Sequence, residues 1–251
     1  MEEYSGNGEL SLYGNPIESP PLEILKMGKD AVLDFFKQGE KQGWEKKYEG
    51  KILIVGQGGA GKTTLLRKLK NPEGEALPDT TSTLGVDIES LELPHPEISE
   101  IKMAANVWDF GGQEIQYNLH NCFITADACY ILVADNRKED TQWDYWFHII
   151  ELLAGECQVL VVLNNNKNNS SKSNFNKSKC EGWFPKVKII DCEVDFAKKD
   201  DEWDTLQLKI RKQFAQLKLV NATIPKLWVD LRKMLLDKSV ESNYFYLRDC
   251  K

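Results

Sequence analysis

This sequence predicts an α/β fold with a six-stranded, mostly parallel sheet, one antiparallel edge strand and helices on both faces. Three observations carry the prediction. Between about residues 50 and 220, short apolar runs alternate with segments of helical period. The runs ILIV (52–55), YILVA (130–134) and VLVVL (159–163) are apolar throughout, as strands are when both faces are covered. Two neighbouring segments, LGVDIESLEL and IKMAANVW, instead mix polar with apolar residues around Pro94-His95-Pro96, and read as an antiparallel hairpin at one edge.

In chain order the expected strands are Lys51 to Val55, Leu84 to Leu93, Ile101 to Trp108, Ala128 to Ala134, Gln158 to Leu163 and Val187 to Asp191. The expected helices between and after them are Lys62 to Leu69, Trp143 to Leu153 and Trp203 to Leu219. In the last, Leu206, Ile210, Phe214 and Leu217 form one apolar stripe, which should lie on the sheet. Outside this core, Leu22 to Lys37 reads as one helix, and Pro225 opens another that runs to Leu236. The stretch from Asn164 to Lys179, rich in Asn, Ser and Lys, reads as a mobile loop.

Composition narrows the function. The 251 residues include 32 Lys and Arg against 39 Asp and Glu, a net charge of −7, which disfavours nucleic acid and anionic membranes as partners. Hydrophobic residues at 41% and charged ones at 28% are those of a globular chain. No run approaches the ~18 apolar residues of a spanning helix, and the first twenty residues are acidic and polar where a leader would be basic and then apolar. The expected location is therefore the cytoplasm. Six cysteines, at 122, 129, 157, 180, 192 and 250, make no CxxC pair, so neither a zinc site nor a dithiol motif is supported. Cys122, Cys129 and Cys192 adjoin apolar segments and read as small buried thiols. His95, His120 and His148 lack neighbours at ligand spacing and are assigned no role.

Chemistry concentrates in two motifs. GQGGAGKT, Gly56 to Thr63, follows a strand and opens a helix, and matches GxxxxGK[ST]. Its glycines let backbone N–H groups curl around an anion, and the helix N-terminus adds its dipole. Gly56, Gln57, Gly58, Gly59, Ala60, Gly61, Lys62, Thr63 and Thr64 then form a phosphate cradle, in which Lys62 reaches the β- and γ-phosphates and Thr63 ligates Mg²⁺. The same glycines also spell a dinucleotide fingerprint, GxGxxG. That fingerprint needs an acid at the end of a second strand, and Asp79 sits in the polar ALPDTTST.

The second motif is DFGGQ, Asp109 to Gln113, after the strand MAANVW. Its spacing suits an Asp109 that holds Mg²⁺ through water, a Gly112 backbone N–H that meets a γ-phosphate, and a Gln113 that orients hydrolytic water. A protein kinase also carries DFG, but its VAIK-type lysine and HRD motif are absent. Between the two motifs, Thr83 best fits a residue that closes over Mg²⁺ and the γ-phosphate, with Thr80 and Thr81 as neighbours able to serve instead.

Taken together, GQGGAGKT, TLGVDI and WDFGGQE resemble a P-loop NTPase of the Ras-like GTPase class. More narrowly, WDFGGQEIQYNLHNCFI, ADNRKEDTQWDYWFHIIELL and PKLWVDLRKML resemble the Roc domain of Roco proteins and the start of the COR domain that follows it. The opening LSLYGNPIESPPLEILKMGKDAVLDFF resembles the end of a leucine-rich repeat array and its linker helix. The resemblance divides the chain into residues 1–21 (repeat end), 22–47 (linker helix), 48–220 (Roc) and 221–251 (start of COR). It implies GTP and GDP as ligands, slow Mg²⁺-dependent hydrolysis, unidentified protein effectors, and homodimerisation through COR in the intact protein.

One departure bears on the base. A Ras-like guanine motif, N-K-x-D, should follow VLVVL, where the sequence reads Asn164-Asn165-Asn166-Lys167-Asn168-Asn169. Whether Asn164 or Asn166 opens it, the carboxylate is missing, so the base end is assigned to Asn164, Asn165 and Lys167. A carboxylate accepts two hydrogen bonds from guanine where an amide offers one acceptor and one donor. Weakened guanine selectivity, an adenine-nucleotide switch, or a nucleotide-stabilised scaffold with little turnover are therefore the competing expectations. Asp191-Cys192, just past the expected last strand, could supply backbone groups to the base. Neither Arg67 nor Arg137 reads as an arginine finger, and each is expected to be a surface ion-pair partner.

Overall fold

The computed structural model describes residues 3–4, 10–11, 17, 19–72, 86–110, 124–137, 141–165 and 174–239. It divides into two compact units, residues 49–220 and the combination of 1–48 with 221–251.

The larger unit is the predicted α/β fold. Its strands β4 (Glu49–Val55), β5 (Val86–Pro94), β6 (Lys102–Phe110), β7 (Cys129–Asp135), β8 (Cys157–Asn164) and β9 (Val187–Val194) form one six-stranded sheet in the order β5-β6-β4-β7-β8-β9. Only the β5–β6 pair is antiparallel, from Val86↔Phe110 to Pro94↔Lys102. Its connection is longer than Pro94-His95-Pro96. His95 N–H donates to Ile101 O at 2.9 Å, and His95 Nδ1 accepts from the Glu97 and Ile98 amides.

Every residue of β7 is buried, as its unbroken apolar run requires. The helices are α3 (Lys62–Lys70), α4 (Trp143–Ala154), α5 (Lys177–Trp183) and α6 (Asp201–Ala215). Helix α4 buries Trp143, Trp146, Phe147 and Ile150 against Leu53, Val55, Tyr130 and Leu132. Burying each such side chain contributes roughly 1.5–3 kcal/mol.

Helix α6 buries Leu206, Ile210 and Phe214 as its stripe predicts, but ends at Ala215, four residues early. Asp127 is the reason: its carboxylate accepts the Lys218 and Leu219 amides at 3.0 and 2.8 Å, drawing the chain out of the helix and into a 3₁₀ turn at Leu219–Asn221. Two described asparagines near the end of the polar stretch after β8 make specific contacts. Asn176 caps α5 by accepting from Lys179 N–H at 3.0 Å, and Asn174 Oδ1 accepts from Trp143 Nε1 at 2.8 Å. Of the cysteines expected to be buried, Cys129 is fully so, Cys192 is half-buried with its thiol pushed up to about 11 by desolvation, and Cys122 lies outside the described residues. Cys180 is buried as well.

The smaller unit holds β1 (Glu3–Tyr4) paired with β2 (Leu10–Ser11), the helices α1 (Leu22–Lys26), α2 (Lys29–Gln42) and α7 (Lys226–Ser239), and the strands β3 (Trp44–Lys46) and β10 (Thr223–Pro225), which pair antiparallel. The single helix expected over 22–37 is two. Gly28 takes φ +98°, a region favoured by glycine. Its N–H closes the first helix on Leu25 O, while its carbonyl accepts from Val32 N–H in the second. Phe35, 1% exposed, packs against Trp44 and Trp228 with ring centroids 5.2 and 5.4 Å away. At Gly39 a Cβ would lie 2.0 Å from the Trp44 ring. Among the described residues no helix is long and apolar enough to cross a membrane.

Candidate nucleotide-binding site

The carboxyl ends of β4, β6, β7, β8 and β9 reach one edge of the sheet, where open α/β sheets bind ligands. The loop after β4 spans Gly56 to Gly61 and runs directly into α3. Gly56 is tied to the neighbouring strand: its φ is +140° and a Cβ there would lie 2.1 Å from Val133 O. Gly61 closes the loop at φ +101°, and its missing Cβ would meet Asn164 Nδ2 at 2.8 Å and the Phe196 ring at 3.1 Å. Both positions therefore demand glycine on two counts, backbone angle and space.

Lys62, the first residue of α3, folds back over the loop. Its ammonium donates to Gly56 O and Gln57 O, each at 2.8 Å. The residue is only 6% exposed. Desolvation pushes its pKa down to about 8, and the Asp109 carboxylate opposes that shift. The next residue, Thr63, donates its hydroxyl to Asp109 Oδ2 at 2.6 Å. Asp109 is fully buried near the end of β6, so two motifs 46 residues apart meet as one hydroxyl and one carboxylate. These hard oxygens are the donor chemistry Mg²⁺ takes.

Of the other phosphate-loop residues, Gln57 is half-buried with Oε1 accepting from Gln142 N–H at 3.3 Å, Gly58 and Gly59 are exposed, Ala60 is buried, and Thr64 is half-buried on α3. Thr83, Gly112, Gln113 and Lys167 lie outside the described residues, as do Thr80, Thr81 and Asn166.

At the base end, Asn164 is the last residue of β8 and donates from Nδ2 to Ala60 O at 3.3 Å, joining this strand to the phosphate loop. The Asn165 side chain turns away, donating to Glu193 Oε2 at 3.3 Å, while its N–H donates to Val194 O at 2.7 Å. Asp191 and Cys192 do not follow the last strand, as expected, but lie within it, because β9 runs on to Val194. The residues that arrive in their place are Asp195, Phe196 and Ala197. Asp195 is buried, accepts the Ala197 amide on Oδ1 at 3.0 Å and pairs with Lys198 at 3.4 Å. Phe196 is buried against Gly61. The signal for the longer strand was the period of two that continues through Val194 and Phe196 in CEVDF. Arg137 is an ion-pair partner, with Nε and Nη2 on the two oxygens of buried Asp135 at 2.8 and 2.7 Å. Arg67 is exposed on α3.

A strand, glycine loop and helix with its lysine folded inward, the Thr63–Asp109 pair, and a parallel sheet with one antiparallel edge together define a P-loop nucleotide-binding domain of the Ras-like class. Residues 51–168 match the family described as "Ras of Complex, Roc, domain of DAPkinase".

The chain is 31% identical over 172 residues to the probable serine/threonine-protein kinase pats1 of Dictyostelium discoideum, covering 61% of this chain and 5% of that protein. It is 31% identical over 152 residues to leucine-rich repeat serine/threonine-protein kinase 1 of Mus musculus, covering 58% and 7%. Among solved structures, the Roco2 RocCORdC protein of Methanosarcina barkeri, bound to GDP, superimposes with a TM-score of 0.66 at 27% identity, over 82% of this chain and 61% of that one. The chain thus spans less than a tenth of either kinase's length.

Proposed function

We propose that this chain is the guanine-nucleotide switch of a Roco-type multidomain protein, binding GDP and GTP with Mg²⁺ and hydrolysing GTP slowly. Membership of the Ras-like class, whose members are generally GTP hydrolases, supports the reading. The observation that carries it is the meeting of Thr63 and Asp109 at 2.6 Å beside an inward-folded Lys62.

In this reading Lys62 exchanges its loop carbonyls for phosphate oxygens. Its burial makes the new contact strong, because water no longer competes for the ammonium. Thr63, Thr83 and Asp109 would hold Mg²⁺, which supplies positive charge against the β- and γ-phosphates. Gln113 positions the attacking water and the Gly112 N–H meets the γ-phosphate. Asn164 holds the base end against the phosphate loop. Residues 1–21, 22–47 and 221–251 are assigned to a repeat terminus, a linker helix and the start of a dimerising COR domain, and the protein is placed in the cytoplasm with effectors of its own.

Calorimetric titration of the full chain with GDP and ADP, each with and without Mg²⁺, tests the binding. GDP at least tenfold tighter than ADP, a gap of about 1.4 kcal/mol, supports the guanine switch, and equal affinities overturn it. Single-turnover hydrolysis tests the catalyst, with Gln113→Leu expected to lose most of the rate.

A further inference from the structure

Helix α3 does more than present its N-terminus to phosphate. Six residues past Lys62, Lys68 extends to the loop between β9 and α6. Its ammonium donates to Phe196 O at 2.9 Å and also to Lys198 O. It lies 4.5 Å from the centroid of the fully buried Trp203 ring. One cation thus takes up two carbonyls of alternate residues and rests on the first turn of the next helix. The loop it holds is the one whose Phe196 ring packs on Gly61 and whose Ala197 amide is fixed by Asp195.

Asp195 and Asp200 lie near enough to favour the ammonium's charge, Lys199 disfavours it, and partial burial disfavours it most. The two carbonyls and the Trp203 ring are the contacts that hold the ammonium at this loop. The family match ends at residue 168, so this loop lies outside it. Resting on the nucleotide reading above, we infer that Lys68 is a positioning residue. It bolts the β9–α6 loop to the phosphate-binding helix and thereby sets how long the base end of a bound guanine nucleotide stays held.

The two ends of the ligand would then hang from one rigid element, and removing the bolt would loosen the base contact while leaving the phosphate chemistry intact. The experiment compares Lys68→Met, Lys68→Arg and the parent as full chains. Displacement of a fluorescent GDP analogue by excess GDP gives the dissociation rate, and single-turnover hydrolysis of prebound GTP gives the chemical step. Hydrogen exchange of residues 195–200, without nucleotide, reads the loop directly.

Losing charged hydrogen bonds of this kind predicts dissociation faster by about tenfold in Lys68→Met. Hydrolysis of prebound GTP should stay within about twofold, Lys68→Arg should restore the parental off-rate to within about threefold, and exchange at 195–200 should rise only in Lys68→Met. An unchanged off-rate overturns the inference. So does a parallel fall in hydrolysis and thermal stability, which would mark general destabilisation. If the parent holds no guanine nucleotide, the functional reading fails and the residence claim with it, while the exchange comparison still decides whether Lys68 bolts the loop.

Discussion

At the phosphate end of the site, eight consecutive residues supply nearly everything: the cradle, the inward lysine and the hydroxyl that meets Asp109. At the end that the proposed reading assigns to the base, the contacts come from Asn164 of β8, the Asp195–Ala197 loop after β9, and Lys68 of α3. The phosphate end is local, and Gly56 and Gly61 tolerate no side chain there. The base end is assembled from distant segments, each contributing one or two ordinary hydrogen bonds.

The largest expected effect lies at the phosphate end. Gly56→Ala would drive a Cβ to 2.1 Å from Val133 O at a φ of +140°, and should cost more than about 3 kcal/mol in a chemical-denaturation titration. A loss below about 1 kcal/mol would mean the loop can back away from β7, and the contrast would weaken. Lys62→Ala comes next. Loss of a buried cation from the phosphates should weaken GDP binding by about 2–4 kcal/mol in calorimetry, and weaken ADP binding equally, since the lysine sees only phosphate.

The protonation of Lys62 sharpens the same point. Its folded pKa is lowered to about 8 from 10.5. Between those values the unfolded chain binds the extra proton, so this group's contribution to apo stability rises with pH over the window and is flat below it. Nucleotide affinity runs the other way, because binding needs the ammonium. GDP and ADP affinities should fall together above about pH 8, by up to about tenfold per unit. A pH profile that separates the two nucleotides would place the titrating group at the base end instead.

The smallest effects belong to the base end. Asn164→Ala removes the bond to Ala60 O and should weaken GDP binding by about 1 kcal/mol with ADP nearly unaffected. Asn165→Ala, whose half-buried side chain reaches Glu193, should change GDP affinity by less than about 0.5 kcal/mol. If Asn165→Ala proves the more damaging, the base contact runs through the second asparagine.

The fold was readable because its signals are short-range. Short unbroken apolar runs rich in Val and Ile suit strands covered on both sides, and the polar alternation of β5 and β6 marked the antiparallel edge. GQGGAGKT named the phosphate loop because the residues that touch the anion adjoin in sequence. Misreadings arose where a distant partner set a boundary. Asp127, 91 residues before Lys218 in the chain, accepts the amides just past α6; at the helix expected over 22–37 the cause was instead local, the backbone freedom of Gly28. Composition marked 164–179 as a mobile loop; of its described residues, Asn174 accepts from Trp143 and Asn176 caps α5, contacts that composition does not show.

Sequence alone therefore determined the α/β class, the order of its elements, and the residues of the phosphate cradle, because hydrophobic period and glycine spacing act over a few residues. The tertiary structure decided the rest. That Thr63 reaches Asp109, that Asn164 faces Ala60 while Asn165 turns away, and that Lys68 rather than a residue of its own strand anchors the last loop all depend on which strands lie side by side. Strand order is settled by the packing of the whole sheet, and no window of sequence contains it.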